Sequence, residues 1–427
     1  MKALKKWKRY LCVLLNFILI LSAAINMTAC SASFSQIKAR NLMKGISSKN
    51  VNVQKTDDRF IDNMADFSLE LFKKTVDEKE NALISPLSVM LALTMTANGA
   101  DNETLSQMET VLGNNISIEE LNKYLHSYVN SLPSEEKSKL NIANSIWFRD
   151  DKNRLSVEQD FLQKNADYYN ASIYKSAFDS QTLQDINSWV KKNTDGLIDK
   201  ILDQIDRDTV MYLINAMVFD AEWKTIYNKS DIYQGEFFAV DGTKQPADFM
   251  NSDEHIYLDD GNATGFIKPY ANDHYSFAAL VPNEGVSIGD YIKTLTGKGF
   301  LNTIRDAENT AVRSAMPKFS YDYTIEMSNA LEDLGMPDAF LPDKANFNRL
   351  GKSADGNIYI GEVLHKTHIS VDERGTKAGA VTKVEMKAGS AAVETKYVRL
   401  DRPFVYAIID NSTNLPVFIG TVMSMEK

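Results

Sequence analysis

The sequence predicts a single large α+β domain. Three observations predict it: helical spacing is concentrated in the first half of the chain, strand-like runs dominate after Glu236, and no repeat, low-complexity block or linker interrupts residues 59–427. A doubly wound sheet would alternate the two element types, whereas helices grouped early and strands late point to α+β.

The elements follow in order. Phe60, Met64, Phe67 and Leu71 recur on one helical face. Asn81 to Pro86 reads as a short buried strand. Ser85 then caps, and Pro86 opens, an apolar helix from Leu87 to Ala97 that closes at Gly99. A short helix from Asn102 to Leu112 stops at Gly113. Leu140–Phe148 and Val210–Phe219 are rich in β-formers, and the second is apolar nearly throughout, as a strand buried on both faces is. Between them, Leu183–Asn193 has helical spacing. Strands are expected at Tyr275–Val281, Ala311–Phe319, Asn357–Val363, His365–Val371, Phe404–Ile409 and Pro416–Met423, with a helix at Ile325–Leu334 ended by Gly335.

Charge and cysteine usage exclude several classes. The 427 residues hold 47 basic and 57 acidic side chains, net −10. Five of the basic ones (Lys2, Lys5, Lys6, Lys8, Arg9) and both cysteines, Cys12 and Cys30, fall in the first thirty residues, which leaves 42 against 57, net −15, in the rest. A folded part without cysteine is neither a disulfide scaffold nor a cysteine-ligated metal protein. Its acidity argues against nucleic acid as a partner, which needs a clustered positive field.

Residues 1–29 read as a secretory signal peptide: a positive region from Lys2 to Arg9, then an apolar stretch from Leu11 to Leu21 too short to span a bilayer. Met27-Thr28-Ala29-Cys30 resembles a bacterial lipobox, in which Cys30 is lipidated and becomes the new N-terminus. The expectation is an exported lipoprotein held at the cell surface by a membrane anchor at Cys30. Residues 30–58, polar and aperiodic, are expected to form a flexible tether.

No catalytic constellation emerges. The five histidines, His126, His255, His274, His365 and His368, form no His-Glu-x-x-His, and His365 and His368 fall on opposite faces of a strand. There is no Gly-x-Ser-x-Gly elbow and no phosphate loop; Gly297-Lys298-Gly299 lacks its third glycine at Asn302, and Ser134-Glu135-Glu136-Lys137 lies in a hydrophilic loop. No enzyme activity, metal or cofactor is expected.

The informative stretch is Glu373–Arg399. After the charged turn Asp372-Glu373-Arg374-Gly375, the uncharged Thr376, Ala378, Ala380, Thr382, Val384, Met386 and Ala388 alternate with Lys377, Gly379, Val381, Lys383, Glu385 and Lys387. Period-two patterning is the mark of a strand with one buried face. Thirteen residues would make it roughly 43 Å long, far beyond an ordinary strand. The pattern then dissolves into Ala388-Gly389-Ser390-Ala391-Ala392, a poor strand and good protease bait. Small uncharged side chains at the start would ease entry between two paired strands.

This segment resembles the hinge and reactive loop of inhibitory serpins, and the resemblance extends over most of the chain. Asn81–Val89 is similar to their buried strand and shutter helix. Asp185-Ile-Asn-Ser-Trp-Val190 with Thr194, Gly196 and Ile198 is similar to a helix motif of the family, and Asn215, Ala216, Phe219 and Trp223 to the strand that leads to the breach tryptophan. Phe347, His365-Lys366, Asp401-Arg402-Pro403-Phe404 and Pro416–Gly420 follow in the family's order.

The resemblance implies the serpin fold, one domain with three β-sheets and about eight to nine helices, and an exposed reactive-centre loop near the C-terminus. It implies a suicide substrate: a serine protease cuts the loop, the loop inserts into the central sheet, and the covalent acyl-enzyme is trapped. Glu373, Gly375, Thr376, Ala378, Gly379, Ala380, Val381 and Thr382 correspond to the hinge. Lys377 departs from the acidic residue usual there, and Val381 is bulkier than the common alanine. Ser85, Ser88, Asn215 and His365 correspond to the shutter, and Trp223 to the breach. Counting along the loop puts the reactive bond at Gly389–Ser390, which suits elastase-like or subtilisin-like proteases. The alternative is Lys387–Ala388, which suits trypsin-like ones. The rival activity is that of a non-inhibitory serpin serving as a binding or chaperone module. No glycosaminoglycan site is evident, and a monomer is expected.

Overall fold

The computed structural model describes residues 37–426 except 115, 151, 207, 355 and 377–394. The chain opens with β1 (Arg40–Asn41), α1 (Asp58–Thr75), β2 (Ala82–Ile84), α2 (Pro86–Ala97), α3 (Asn102–Gly113), α4 (Ile118–Ser131), β3 (Ser138–Arg149), β4 (Leu155–Val157), α5 (Gln159–Tyr169), β5 (Ser172–Ser176) and α6 (Ser180–Asn193). Strands then dominate: β6 (Met211–Glu222), β7 (Ile232–Phe238), β8 (Lys244–Asp259), β9 (Ala263–Pro269) and β10 (Tyr275–Pro282). They are followed by α7 (Ile288–Thr294), α8 (Gly297–Arg305), β11 (Glu308–Pro317), β12 (Phe319–Glu326), α9 (Ser328–Leu334), β13 (Gly351–Ser353), β14 (Glu362–Val371), β15 (Gly375–Thr376), β16 (Lys396–Arg399), β17 (Phe404–Asp410) and β18 (Pro416–Val422).

Among the described residues these strands form three sheets. A seven-stranded sheet runs β1-β5-β3-β6-β15-β14-β12, with β6 and β14 also paired directly. A nine-stranded sheet runs β16-β11-β8-β9-β10-β17-β18-β2, with β7 on β8; β13 and β4 make a small pair. The helix α2 lies at the centre. Ser85 caps it by accepting the Ser88 N–H at 3.2 Å, Pro86 fills its first turn, and all twelve of its residues are buried. A helix apolar on every side belongs inside a large core, and α2 touches β3, β6 and β18. The amphipathic α1 is capped by Asp57, which accepts the Phe60 N–H at 3.0 Å, and it ends on Lys73 and Lys74, where cations suit the helix dipole.

Four expectations are corrected. Residues 30–58 are not one free tether. From Lys38 the backbone is bound to the domain: the N–H groups of Lys38 and Ala39 donate to Asp185 Oδ2 at 2.9 and 2.6 Å, and β1 extends the seven-stranded sheet on β5. Gln54 reaches the Tyr124 hydroxyl at 2.6 Å. A polar segment can be held by backbone hydrogen bonds that leave no hydrophobic period in the sequence. The run Ala311–Phe319 is two strands, because the chain leaves one sheet at Pro317 and enters the other at Phe319. The helix after it starts at Ser328, since Ile325 and Glu326 still pair with His365 and Leu364. Asn357–Gly361 is not strand: Ile360 N–H binds the Ala339 carbonyl and Gly361 N–H that of Met211, so the ladder begins only at Glu362.

Candidate functional site

Two clusters form on the seven-stranded sheet, one at the head of β6 and β14 and one midway down. The strands β6 and β14 are parallel neighbours from Tyr212↔Glu362 to Met217↔Thr367. Above that the direct register ends, and β15 occupies the head of the fork: Gly375 lies opposite Glu222, and Thr376 opposite both Ala221 and Val371. Gly375 is required there, because a Cβ would stand 2.0 Å from the Ala221 carbonyl oxygen.

Trp223 organises the approach to this slot. Its indole N–H donates to the Asp372 carbonyl at 2.9 Å, and its backbone N–H to that of Arg374 at 2.7 Å. Tyr227 N–H takes the Glu373 carbonyl at 2.9 Å, so three successive carbonyls of the turn are bound. The Glu373 carboxylate meets Lys318 Nζ at 2.6 Å, and this ion pair holds its pKa below the ordinary value. The Trp223 ring stacks on Tyr270, with centroids 4.5 Å apart, and the Tyr270 and Thr376 hydroxyls share a hydrogen bond of 2.5 Å. Both residues are buried, and burial raises the Tyr270 pKa far above that of a free phenol.

The lower cluster joins Ser85, Ser88, Asn215 and His365, all fully buried. Ser85 N–H donates to His365 Nε2 at 3.0 Å, and the Ser85 hydroxyl contacts Met217 Sδ at 2.6 Å. The Ser88 hydroxyl donates to Asn144 Oδ1 at 3.0 Å and lies 3.5 Å from Asn215 Oδ1. Asn215 and His365 face each other across the β6–β14 pair. Burial lowers the His365 pKa to about 3, so the ring is neutral at ordinary pH. With Nε2 accepting, a neutral ring carries its proton on Nδ1. That Nδ1 and the neighbouring Asn215 Nδ2 have no hydrogen-bond partner among the described residues. His368 points the other way and meets Asp322 at 2.6 Å, as strand alternation requires.

The structure therefore brings Glu373, Gly375, Thr376 and Trp223 together at the head, and Ser85, Ser88, Asn215 and His365 below. Ala378, Gly379, Ala380, Val381, Thr382, Lys387, Ala388, Gly389, Ser390 and Cys30 lie outside the described residues. Sequence reasoning missed Tyr270, Lys318 and Asn144. Tyr270 sits 106 residues from the threonine it holds, and no local pattern marks such a partner. Among the described residues no helix is long and apolar enough to cross a membrane.

Comparison with known proteins agrees with this architecture. The family model described as Serpin (serine protease inhibitor) matches residues 62–425. Serpin-ZX of Arabidopsis thaliana is 28% identical over 372 residues, 82% of this chain and 93% of its own length. Human neuroserpin is 26% identical over 383 residues, 85% of this chain and 91% of its own. Among solved structures, the thermophilic serpin tengpin in its native state is 60% identical, with a TM-score of 0.88 over 91% of this chain and 100% of that one. The latent state of tengpin gives 0.77 at 56% identity, over 89% and 100%. Matched over most of its length, and built around a sheet that forks above a buried Ser–Asn–His cluster, the chain belongs to the serpin family.

Proposed function

We propose that this chain inhibits a serine protease as a suicide substrate, with Gly389–Ser390 as the reactive bond. The observation that carries the reading is the seating of Gly375 and Thr376 at the head of the β6–β14 fork, with the alternating segment directly behind them. The protease serine Oγ adds to the Gly389 carbonyl, the Gly389–Ser390 C–N bond breaks, and Ser390 leaves as a free amine that takes the proton. An ester then joins Gly389 to the enzyme.

Insertion competes with hydrolysis of that ester. Continuing the register of β15 down the fork sets Ala378 between Phe219 and Ile369, Ala380 between Met217 and Thr367, and Thr382 between Asn215 and His365. The cost is the six-residue parallel pairing of β6 with β14. The gain is a strand antiparallel to both neighbours, and antiparallel ladders are slightly the more stable kind. The small side chains at 378 and 380 meet little resistance on entry, and Thr382 brings a hydroxyl oxygen to the two buried nitrogens that lack a partner.

A Gly or Ala bait residue fits shallow specificity pockets, hence elastase-like or subtilisin-like targets; cleavage after Lys387 would mean a trypsin-like one. In this reading the domain acts as a monomer, exported by residues 1–29 and anchored through a lipid on Cys30. Incubation with a panel of the three protease classes tests the function. The expected result is an SDS-stable complex and a released peptide beginning at Ser390. Cleavage or resistance without any such complex would leave only a non-inhibitory binding module, and a peptide beginning at Ala388 would move the reactive bond.

A further inference from the structure

The strand β8 is sixteen residues long and outruns its neighbours on one side. There β7 pairs with it only as far as Met250, and β9 only from Tyr257. Among the described residues, 251–256 therefore have a strand, β11, on the other side alone. The strand β9 ends at Pro269, whose carbonyl takes the Lys224 N–H at 3.1 Å. The gap is a cavity of about 970 Å³, within the size range of small-molecule sites, roughly 300–1,000 Å³.

Its floor is charged, buried and held in place. Lys268 Nζ donates to Glu254 Oε1 at 2.7 Å and sits 4.3 Å from the Tyr227 ring centroid. Ser252 donates to the same oxygen at 2.6 Å, and the Ser314 hydroxyl lies 2.9 Å from that of Ser252. The Lys268 and Glu254 side chains keep only 2% and 9% of their accessible surface. Both donors go to Oε1. Among the described residues no hydrogen bond reaches Oε2, although Glu254 lines the cavity. A carboxylate accepts on both oxygens. A buried ion pair contributes little to stability, and here it leaves one fixed acceptor facing the cavity.

The charges around the cavity choose the ligand. Every lysine and arginine that lines it is already paired: Lys268 with Glu254, Lys224 with Asp273 at 2.6 Å, Arg399 with Asp401 at 2.8 Å, and Arg313 with Asp253 at 3.8 Å. Asp231 is spent on the backbone and side-chain nitrogens of Asn228. With its charges cancelled, the cavity has no strong field to draw a phosphate, a sulfate or a polyamine. An apolar ligand would cover Oε2 without supplying a donor, which is costly. A neutral molecule rich in hydroxyls fits, because each hydroxyl both donates and accepts. Tyr397, 71% exposed at the mouth, offers a flat ring, and Arg313, opposite it on the same sheet face, a planar guanidinium. We propose that this cavity binds a neutral saccharide, with one hydroxyl donating to Glu254 Oε2 and one sugar face lying on Tyr397.

The test uses the full chain without protease, titrated by calorimetry with neutral di- and trisaccharides of glucose, galactose, mannose and N-acetylglucosamine, and with a sulfated heparin tetrasaccharide. At least one neutral sugar should bind with a Kd below about 5 mM, and more tightly than the sulfated one. Tyr397→Ala and Arg313→Ala, both at exposed positions, should each weaken that binding at least fivefold. Glu254→Gln combined with Lys268→Met removes the pair without stranding a charge and should weaken it at least tenfold, with the urea midpoint showing that the domain is folded. Should the double variant unfold, the two exposed variants decide. No neutral sugar binding below about 5 mM, tighter binding of the sulfated one, or affinities of all variants within twofold of wild type would overturn the site. Formation of an SDS-stable protease complex is read separately, and its absence overturns the inhibitory reading without altering these affinities.

Discussion

The hydroxyls of Tyr270 and Thr376, 2.5 Å apart and buried, join β15 to the head of the seven-stranded sheet. The slot around Thr376 has room for a short side chain and one hydroxyl partner. Thr376→Arg would force a guanidinium against Tyr270, and a buried unpaired charge is among the costliest substitutions. The variant should be cut at the wild-type rate yet form no SDS-stable complex. A titration of protease activity should therefore show a stoichiometry of inhibition raised at least tenfold.

Thr382 is the second contact to test. In the proposed insertion, the register of Gly375 and Thr376 carried down the fork would set it between Asn215 and His365. Thr382→Val keeps the shape and removes the oxygen, leaving buried donors unpaired at a cost of about 1–3 kcal/mol. Denaturant unfolding of the cleaved protein should show the loss, and the uncleaved protein should be unchanged.

His365 makes stability depend on pH. Its pKa is about 3 in the folded protein, because of burial, against 6.5 for the free side chain. Between these values the unfolded chain binds a proton that the folded one excludes, so stability rises with pH across this window. His365 therefore destabilises the fold as pH falls from about 6.5 towards 3, by up to about 1.4 kcal/mol per pH unit. Urea midpoints measured across that range should fall on acidification in wild type and fall less steeply in His365→Gln.

Asp185 holds the segment that precedes α1. It is buried and accepts the N–H groups of Lys38 and Ala39 and the side-chain amide of Gln181. Hydrogen bonds to a charged group contribute about 1.5–3 kcal/mol each, so Asp185→Ala should free the start of β1. Limited proteolysis should then cut after Lys38 or Arg40 at least tenfold faster, while the core at Trp189 stays protected from hydrogen exchange.

Much of this was legible in sequence because it is local. Ser85 and Pro86 announce the start of α2, and the nearly continuous apolar run at 211–219 announces a central strand. Where short-range signals compete, element boundaries shift by a few residues from those the sequence predicts. Ile325 and Glu326 look helical but complete a ladder with β14, and Ile358 and Ile360 look like strand but find no strand beside them.

The sequence by itself determined the family, the order of elements and the bait-like segment, since each depends on spacing within a few turns or a single strand. Only the tertiary structure decided that Gly375 and Thr376 are already seated between β6 and β14, that Tyr270 and Lys318 receive them, and that residues from Lys38 on are fastened to the sheet edge. Those contacts join residues far apart along the chain. They arise from the register of paired strands and the satisfaction of buried polar groups, which no local period encodes.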